Sequence, residues 1–203
     1  AAKNNLFLED LLADRLAGYY ELLARWNRKI NLTSLDNLDE AIDRLILEPL
    51  VAARYLPATA NLLMDVGSGG GSPAIPLKLA VPRLRLTMVE SKARKSAFLR
   101  EATRHLGLTD VQVETARYEE LLARPELHEA HDVVSVRAVR TEARVLTSLQ
   151  AFLAPGGLIL HFRGPAGPAV PASLVPPLEW TATHPLVESL QSRLTILTKR
   201  RIR

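Results

Sequence analysis

Cysteine is absent from the 203 residues of this chain, which excludes disulfide bonds and thiolate metal ligands and is typical of a reducing cytoplasm. Long apolar runs are missing as well, since none approaches the roughly 18 residues that a membrane span needs. No signal-peptide pattern opens the sequence. We therefore expect a cytoplasmic protein with no membrane association and no metal site.

A strong excess of charge of one sign is also lacking. The chain has 26 Lys and Arg residues against 22 Asp and Glu residues, which gives a net charge of +4. So mild an excess is typical of an ordinary protein surface and does not by itself indicate a nucleic-acid partner. The hydrophobic content of 47% and the length together predict a globular domain with a sizeable core, plus a small extension.

The feature that the chain does have is a glycine turn, residues 65–73, with the sequence Asp-Val-Gly-Ser-Gly-Gly-Gly-Ser-Pro. It continues an apolar stretch that predicts a buried strand at 62–66. Pro73 stands where a helix would begin, because the first helical turn does not use the N–H that proline lacks. We expect several of these glycines to have positive φ and to let a ligand approach the backbone amides closely. The order strand, glycine turn, helix predicts a site for a nucleotide-like cofactor.

Hydrophobic periodicity divides the chain into a helical N-terminal extension, residues 1–58, and an alternating part, residues 59–203. The predicted helices lie at 6–29, from 36 or 37 to about 47 with a break or a new helix start at Pro49, and at 73–80, 92–106, 118–124 and 141–151. The predicted strands lie at 62–66, 84–90, 111–115, 132–136 and 157–162. Strands separated by helices indicate parallel βαβ units. After a proline-rich loop at 164–177, strands at 178–187 and 193–198 with no helix between them predict an antiparallel pair at one sheet edge.

Two classes of cofactor are compatible with the glycine turn taken alone. Gly69-x-Gly71-x-x-Ala74 matches the dinucleotide fingerprint, and Glu90 follows at about the distance where an acidic residue would hold a ribose. Three features oppose a dinucleotide. The first glycine already follows the strand directly, Pro73 interrupts the helix start, and the chain ends in an antiparallel strand pair.

The same three features favour the S-adenosylmethionine-dependent methyltransferases. Their first motif resembles residues 65–71, and the acidic residue that ends their second strand, here Glu90, accepts hydrogen bonds from the ribose hydroxyls. This cofactor has no pyrophosphate, so a helix N-terminus need not hold phosphate. Its carboxylate can meet the turn amides, while protein carboxylates can hold its amino group and offset the sulfonium charge.

Four segments, in order along the chain, carry a more specific resemblance. They are Trp26-Asn27-x-x-Ile30-Asn31-Leu32-Thr33-Ser34, the glycine turn continuing into Ile75-Pro76-Leu77, Glu90-Ser91-x-x-Arg94-Lys95-x-x-Phe98-Leu99, and Val134-Ser135-Val136-Arg137-Ala138. Together they closely resemble the bacterial small-subunit ribosomal RNA guanine-N7 methyltransferases, also called glucose-inhibited division protein B. The resemblance covers essentially the whole chain.

The resemblance implies a Rossmann-like class I methyltransferase fold, with a mostly parallel seven-stranded sheet, an antiparallel edge pair and the N-terminal helical extension. It implies transfer of a methyl group from S-adenosyl-L-methionine, leaving S-adenosylhomocysteine, to N7 of a guanosine in small-subunit rRNA. Gly67 and Ser72 would contact the methionine part, Glu90 the ribose, and Tyr118 and Glu119 the adenine. Arg137 would lie near the cofactor and the target base. The full cofactor-binding set is Asp65, Gly67, Gly69, Gly71, Ser72, Glu90, Tyr118, Glu119 and Arg137.

Three positions depart from the family pattern. Val136 stands where the family usually has serine before the arginine, so a hydroxyl contact there is lost or is supplied by Ser135. Arg163 replaces the usual lysine after the fifth strand, which exchanges a point charge for a planar fork. Leu45 stands where the family often has histidine.

Guanine N7 is a lone-pair nucleophile without a proton, so we expect no general base and a catalysis of proximity and orientation, with Arg137 as a positioning group. The predicted RNA-binding residues are Arg94, Lys95, Arg100, Arg104, Arg140 and Arg163. Basic residues of this kind are also typical of a solvated surface, and only convergence on the glycine turn would favour RNA. We expect small-subunit rRNA or the ribosomal subunit as partner, and a monomeric protein.

Two other functions stay open from the sequence. One is a methyltransferase that acts on a small molecule or a protein, which the basic residues and the helical extension oppose. The other is a module that binds S-adenosylmethionine or RNA without transferring a methyl group, which the departures at Leu45 and Val136 keep open.

Overall fold

The computed structural model of the chain describes residues 9–33, 37–137, 143–166, 174 and 176–201. Its strands are β1 (Leu62–Val66), β2 (Arg85–Val89), β3 (Val111–Glu114), β4 (His131–Arg137), β5 (Leu153–Arg163), β6 (Leu178–Pro185) and β7 (Arg193–Lys199). Its α-helices are α1 (Asp10–Asn27), α2 (Leu38–Ile42), α3 (Glu48–Ala53), α4 (Ala74–Ala80), α5 (Ala93–His105), α6 (Tyr118–Leu121) and α7 (Ala143–Phe152). A π-helical turn at Asp43–Leu47 joins α2 to α3, and 3-10 turns lie at Pro125–Leu127 and Glu188–Leu190.

The seven strands form one sheet in the order β3-β2-β1-β4-β5-β7-β6. Strands β1 to β5 run parallel, and β7 lies antiparallel between β5 and β6. From β1 the chain first builds the sheet toward one edge, through β2 and β3. It then returns to the other side of β1 and builds toward the opposite edge, through β4 and β5, so the direction of winding reverses between β1 and β4. The carboxyl ends of β1 and β4 therefore flank the switch point, where open α/β sheets bind their ligands.

Two apolar layers cover the two faces of the sheet. On one face, residues such as Leu63 and Val133 pack with the helices α1, α3, α4 and α5 in one buried cluster. On the other face, their strand neighbours Met64 and Val134 pack with α6 and α7. The alternation follows from the period of two in a strand, and burial on both faces is typical of parallel strands. The N-terminal extension thus lies on the same face as α4 and α5.

The predicted fold is confirmed, including the antiparallel edge. Pro49 marks a new helix start, since α3 begins at Glu48, but the helical path is continued by the π-helical turn. Strand β5 begins at Leu153 rather than at residue 157, because Leu153 pairs with His131 before an irregularity in the ladder. Most of the predicted loop at 164–177 lies outside the described residues. In the part of the chain that the structure describes, no helix is long and apolar enough to cross a membrane.

Candidate cofactor and methyl-transfer site

Three glycines shape the glycine turn at the end of β1. Gly67, Gly69 and Gly71 have φ angles of 78°, 51° and 86°, which is the left-handed region that side chains other than glycine rarely adopt. A Cβ added to Gly71 would also lie 2.5 Å from Cδ1 of Ile75. The amides of Gly67 and Ser68 donate to the carbonyl of Val89 at 2.9 and 3.0 Å, which joins the turn to the end of β2. The positive φ values expected from the sequence are confirmed.

Glu90 lies directly after β2 and faces the glycine turn. One of its carboxylate oxygens accepts a hydrogen bond from the amide of Gly69 at 2.9 Å, and the other accepts from the amide of Lys92 at 2.8 Å, where α5 begins. The residue is 7% exposed. Because each carboxylate oxygen can accept two hydrogen bonds, both retain a site for a further donor such as a ribose hydroxyl.

Asp65 is a buried carboxylate with one partner and one vacant oxygen. Oδ1 accepts a hydrogen bond from the hydroxyl of Ser135 at 2.6 Å. Oδ2 is buried and has no hydrogen-bond partner among the described residues. Burial raises the pKa of Asp65 above its ordinary value, and the hydrogen bond from Ser135, the nearby hydroxyl of Ser68 and the positive charge of Arg137 oppose the rise. An unpaired buried carboxylate oxygen is expensive, so its presence points to a cationic ligand.

Arg137 ends β4 on the same face of the sheet as Asp65 and Ser135. Its Nη1 donates to a carboxylate oxygen of Glu48 from the extension. The guanidinium also lies over the ring of Phe162, with its central carbon 4.8 Å from the ring centroid. Nε and Nη2 are buried and have no partner in the part of the chain that the structure describes. These two nitrogens form the side-on edge of the guanidinium, which is the edge that binds a carboxylate through two hydrogen bonds.

Two hydrogen bonds join the N-terminal extension to the glycine turn. The fully buried Tyr19 hydroxyl donates to the carbonyl of Gly70 at 2.6 Å, and burial raises the pKa of Tyr19, which keeps the donor protonated. The hydroxyl of Ser72 donates to the carbonyl of Leu45 at 2.9 Å. Ser72 therefore joins the turn to the extension, and its predicted contact with a methionine moiety stays a prediction.

Tyr118 and Glu119 open α6, which follows the carboxyl end of β3 and so lies at the same edge of the sheet. Burial is the largest of the effects that raise the pKa of Tyr118, and the neighbouring charge of Glu119 adds to it. The side chain of Glu119 is exposed. Their adenine-binding roles are untested by these contacts and stay predictions.

The predicted RNA-binding residues separate into groups with different surroundings. Arg94 and Lys95 lie in the first turn of α5, beside the amide that Glu90 holds, and Arg94 is exposed. Arg100 instead donates to Val113 and Thr115 and ties α5 to β3, while Arg104 pairs with Glu101. Arg163 is half-buried at the end of β5. Arg140 lies outside the described residues. Of the predicted residues, Arg94 and Lys95 follow Glu90 at the start of α5, and Arg163 follows Phe162, whose ring contacts Arg137.

Two residues that contact the site, Tyr19 and Glu48, were not predicted from the sequence. Tyr19 follows the apolar period of α1, a pattern that predicts a core residue, whereas its hydroxyl also reaches the turn. Glu48 was not predicted as a site residue. The available signal was a charged residue within an otherwise apolar run, Leu45-Ile46-Leu47-Glu48-Pro49-Leu50-Val51, because buried charges are paired. Among the described residues no cluster of His, Cys, Asp and Glu side chains could hold a metal ion.

Comparison with known proteins gives the class first. A sheet of this strand order, with a glycine turn after β1 and an acidic residue after β2, belongs to the Rossmann-like fold class, and solved S-adenosylmethionine-dependent methyltransferases share this fold. A methyltransferase of this kind from Aquifex aeolicus has a TM-score of 0.61 at 13% identity, covering 83% of this chain and 96% of that one. A mutant of MtNAS in complex with S-adenosylmethionine has a TM-score of 0.59 at 15% identity, covering 92% of this chain and 72% of that one.

Sequence comparison then gives the family. The family model for rRNA small subunit methyltransferase G matches residues 13–169. A ribosomal RNA small subunit methyltransferase G from Halorhodospira halophila is 42% identical over 153 residues, which cover 74% of this chain and 69% of that protein. A protein of the same name from Xanthomonas axonopodis pv. citri is 38% identical over 181 residues, covering 88% and 82%. The chain belongs to the rRNA small subunit methyltransferase G family, which confirms the resemblance inferred from the sequence.

Proposed function

We propose that this chain transfers the methyl group of S-adenosylmethionine to N7 of a guanosine in small-subunit rRNA. The observation that carries the proposal is the set of vacant buried atoms around the glycine turn. Asp65 offers a vacant acceptor, Arg137 offers two vacant donors, and Glu90 offers two oxygens already aligned by backbone amides. A zwitterion attached to a ribose matches all three.

The residues of the site match the methionine moiety, the ribose and the adenine of the cofactor in turn. Oδ2 of Asp65 would accept from the methionine ammonium, and the side-on edge of Arg137 would bind the methionine carboxylate. Glu90 would hold the ribose hydroxyls, with Tyr118 and Glu119 on the adenine side. When bound, the cofactor supplies an electrophilic methyl group on a sulfonium. The chain itself contributes orientation, because each of these contacts fixes one part of a flexible molecule before the reaction.

No proton transfer is required of the protein. Guanine N7 carries a lone pair and no proton, so the site has to bring it in line behind the methyl group and exclude water. The target base must be unstacked or single-stranded to enter the site. Arg94 and Lys95, at the start of α5, would contact the phosphates beside it.

We further propose that the protein acts as a cytoplasmic monomer, with residues 1–58 and 59–203 forming one compact unit. The buried apolar cluster that joins the helices of the extension to the sheet supports this unit. Sedimentation at working concentration tests the monomer.

The methyl acceptor is tested by mapping 7-methylguanosine in rRNA from a deletion strain, using borohydride and aniline cleavage followed by primer extension. We expect one cleavage site to disappear in the deletion strain and to return with the wild-type gene but not with Glu90→Gln. The matched control is Glu120→Gln, an exposed glutamate on α6 outside the site, which should restore cleavage. If every site persists in the deletion strain, the proposed substrate is wrong, and if no S-adenosylmethionine binding is seen by calorimetry, the cofactor assignment is wrong too.

A further inference from the structure

Glu48 is a buried charged residue of the N-terminal extension that contacts the sheet. Its side chain is 4% exposed, and it accepts a hydrogen bond from Nη1 of Arg137, 89 residues away in sequence. The residues around it in α3 and the π-helical turn are apolar and buried. Removing a carboxylate from water is unfavourable unless a partner compensates it, so the placement of this glutamate at the guanidinium requires an explanation beyond packing.

The local sequence fixes where Glu48 points. In the π-helical turn the amide of Glu48 bonds to the carbonyl of Asp43, five residues earlier, which rotates the start of α3 relative to α2. Pro49 has no N–H to give to the carbonyl of Leu45, four residues earlier. That carbonyl accepts the Ser72 hydroxyl instead. The helix that carries Glu48 is therefore attached to the glycine turn itself.

Arg137 is held on one edge and one face. Glu48 occupies Nη1, and the ring of Phe162 lies beneath the guanidinium plane. The other two guanidinium nitrogens, Nε and Nη2, form the edge that is buried and has no partner among the described residues. A guanidinium on a flexible stem would otherwise lose conformational freedom on binding a ligand.

We propose that Glu48 is a positioning residue that pre-orients Arg137, so that its two-donor edge faces the carboxylate of the methionine moiety. This inference rests on the proposed function, since it names a residue that acts on the cofactor through Arg137. Glu48 makes no contact with the cofactor in this assignment. The extension thereby contributes directly to cofactor affinity.

The test measures the dissociation constant of S-adenosylhomocysteine by calorimetry in a double-mutant cycle. Glu48→Leu should weaken binding about ten- to a hundredfold, the usual range for a hydrogen bond between charged groups. Glu48→Gln, whose amide oxygen can still accept from Nη1, should weaken it by only about threefold. In the Arg137→Met background, adding Glu48→Leu should cause no further loss. That double variant replaces the buried pair by apolar groups, which is often neutral for stability and guards against a failure of the single variant to fold.

The matched control is Glu40→Leu, which removes a glutamate from α2 whose partner is the exposed Arg44, and it should leave the dissociation constant unchanged. The proposal is overturned if Glu48→Leu binds within twofold of wild type, or if its loss is equally large without the arginine. Failure of wild-type protein to bind S-adenosylhomocysteine would instead overturn the proposed function. A merely structural role would lower the melting temperature of Glu48→Gln and Glu48→Leu without separating their affinities.

Discussion

Replacing Asp65 by asparagine should make the protein more stable and its cofactor binding weaker. The carboxylate is 1% exposed, its Oδ1 is bonded to Ser135 at 2.6 Å, and its Oδ2 has no partner among the described residues. Asparagine keeps an oxygen for Ser135 and removes the buried charge. It leaves one unpartnered amide group, which costs less than an unpartnered charged oxygen.

The difference is about 1–2 kcal/mol in the free energy of unfolding in favour of the variant. For a chain of this length that corresponds to a rise of about 2–8 °C in melting temperature. The affinity for S-adenosylmethionine should fall about tenfold or more, because a charged contact to the ammonium becomes a neutral one. Gains of stability at the expense of binding are typical of sites that hold unpaired charges.

The pH dependence of the unfolding free energy tests independently whether the buried charge of Asp65 causes the difference in stability. Burial raises the folded-state pKa of Asp65, so the carboxyl costs no stability below its unfolded pKa of about 3.9. The cost grows as the pH rises from that value to the folded-state pKa, and it is constant above the folded-state pKa. The stability advantage of Asp65→Asn should therefore vanish near pH 4 and grow as the pH rises above that value. Urea denaturation followed by circular dichroism at several pH values measures it.

The matched control is Asp132→Asn. Oδ2 of Asp132 accepts hydrogen bonds from the amides of Asn61 and Leu62 at 2.8 and 2.9 Å, so the same substitution removes a satisfied charge. It should lower stability by about 1–2 kcal/mol. The reasoning is refuted if Asp65→Asn melts at or below the wild-type temperature at neutral pH, or if its advantage persists unchanged at pH 4.

Two further substitutions follow from the sheet and the turn. Burial lowers the pKa of His161 to about 4, so the stability that its neutral form contributes is present above about pH 6.5 and is lost as the pH falls through about 4. His161→Gln should remove up to about 3 kcal/mol of the acid-induced loss of stability, measured by urea denaturation. An unchanged pH profile would contradict this. Gly71→Ala places a methyl group 2.5 Å from Ile75 at a φ of +86° and should cost about 2 kcal/mol or more as well as cofactor affinity. Gly107→Ala, with a φ of +56° and nothing within 4 Å, carries the backbone strain alone and should cost less in a thermal melt, with affinity unchanged.

Short-range patterns made most of the fold predictable. The period of two identified the strands, and the glycine turn with its proline located the start of α4 within one residue. The β5 boundary was missed because Pro155, Gly156 and Gly157 look like a turn, whereas the paired strand accommodates them beside an irregularity in the ladder. Between α2 and α3 the proline predicted a break or a new helix start, and only the structure shows that a π-helical turn continues the helix.

Long-range contacts at the site could not be predicted from local pattern. Asp65 and Ser135 are 70 residues apart, and Glu48 and Arg137 are 89 apart. Each side chain has a plausible local role, a turn cap or a surface charge, and only the sheet order brings the pairs together. The resemblance to the family predicted Arg137 as a site residue, but only the structure shows that Glu48 is its partner.

The structure also accounts for two of the three departures from the family pattern. Val136 is fully buried in the apolar cluster on the α7 face of the sheet, so a side chain at that position points away from Asp65. Ser135, one residue earlier and on the opposite face, supplies the hydroxyl. At Leu45 the contact with the glycine turn is made by the backbone carbonyl, to which Ser72 donates. A backbone carbonyl is present whichever side chain occupies the position, so the loss of histidine leaves this contact intact.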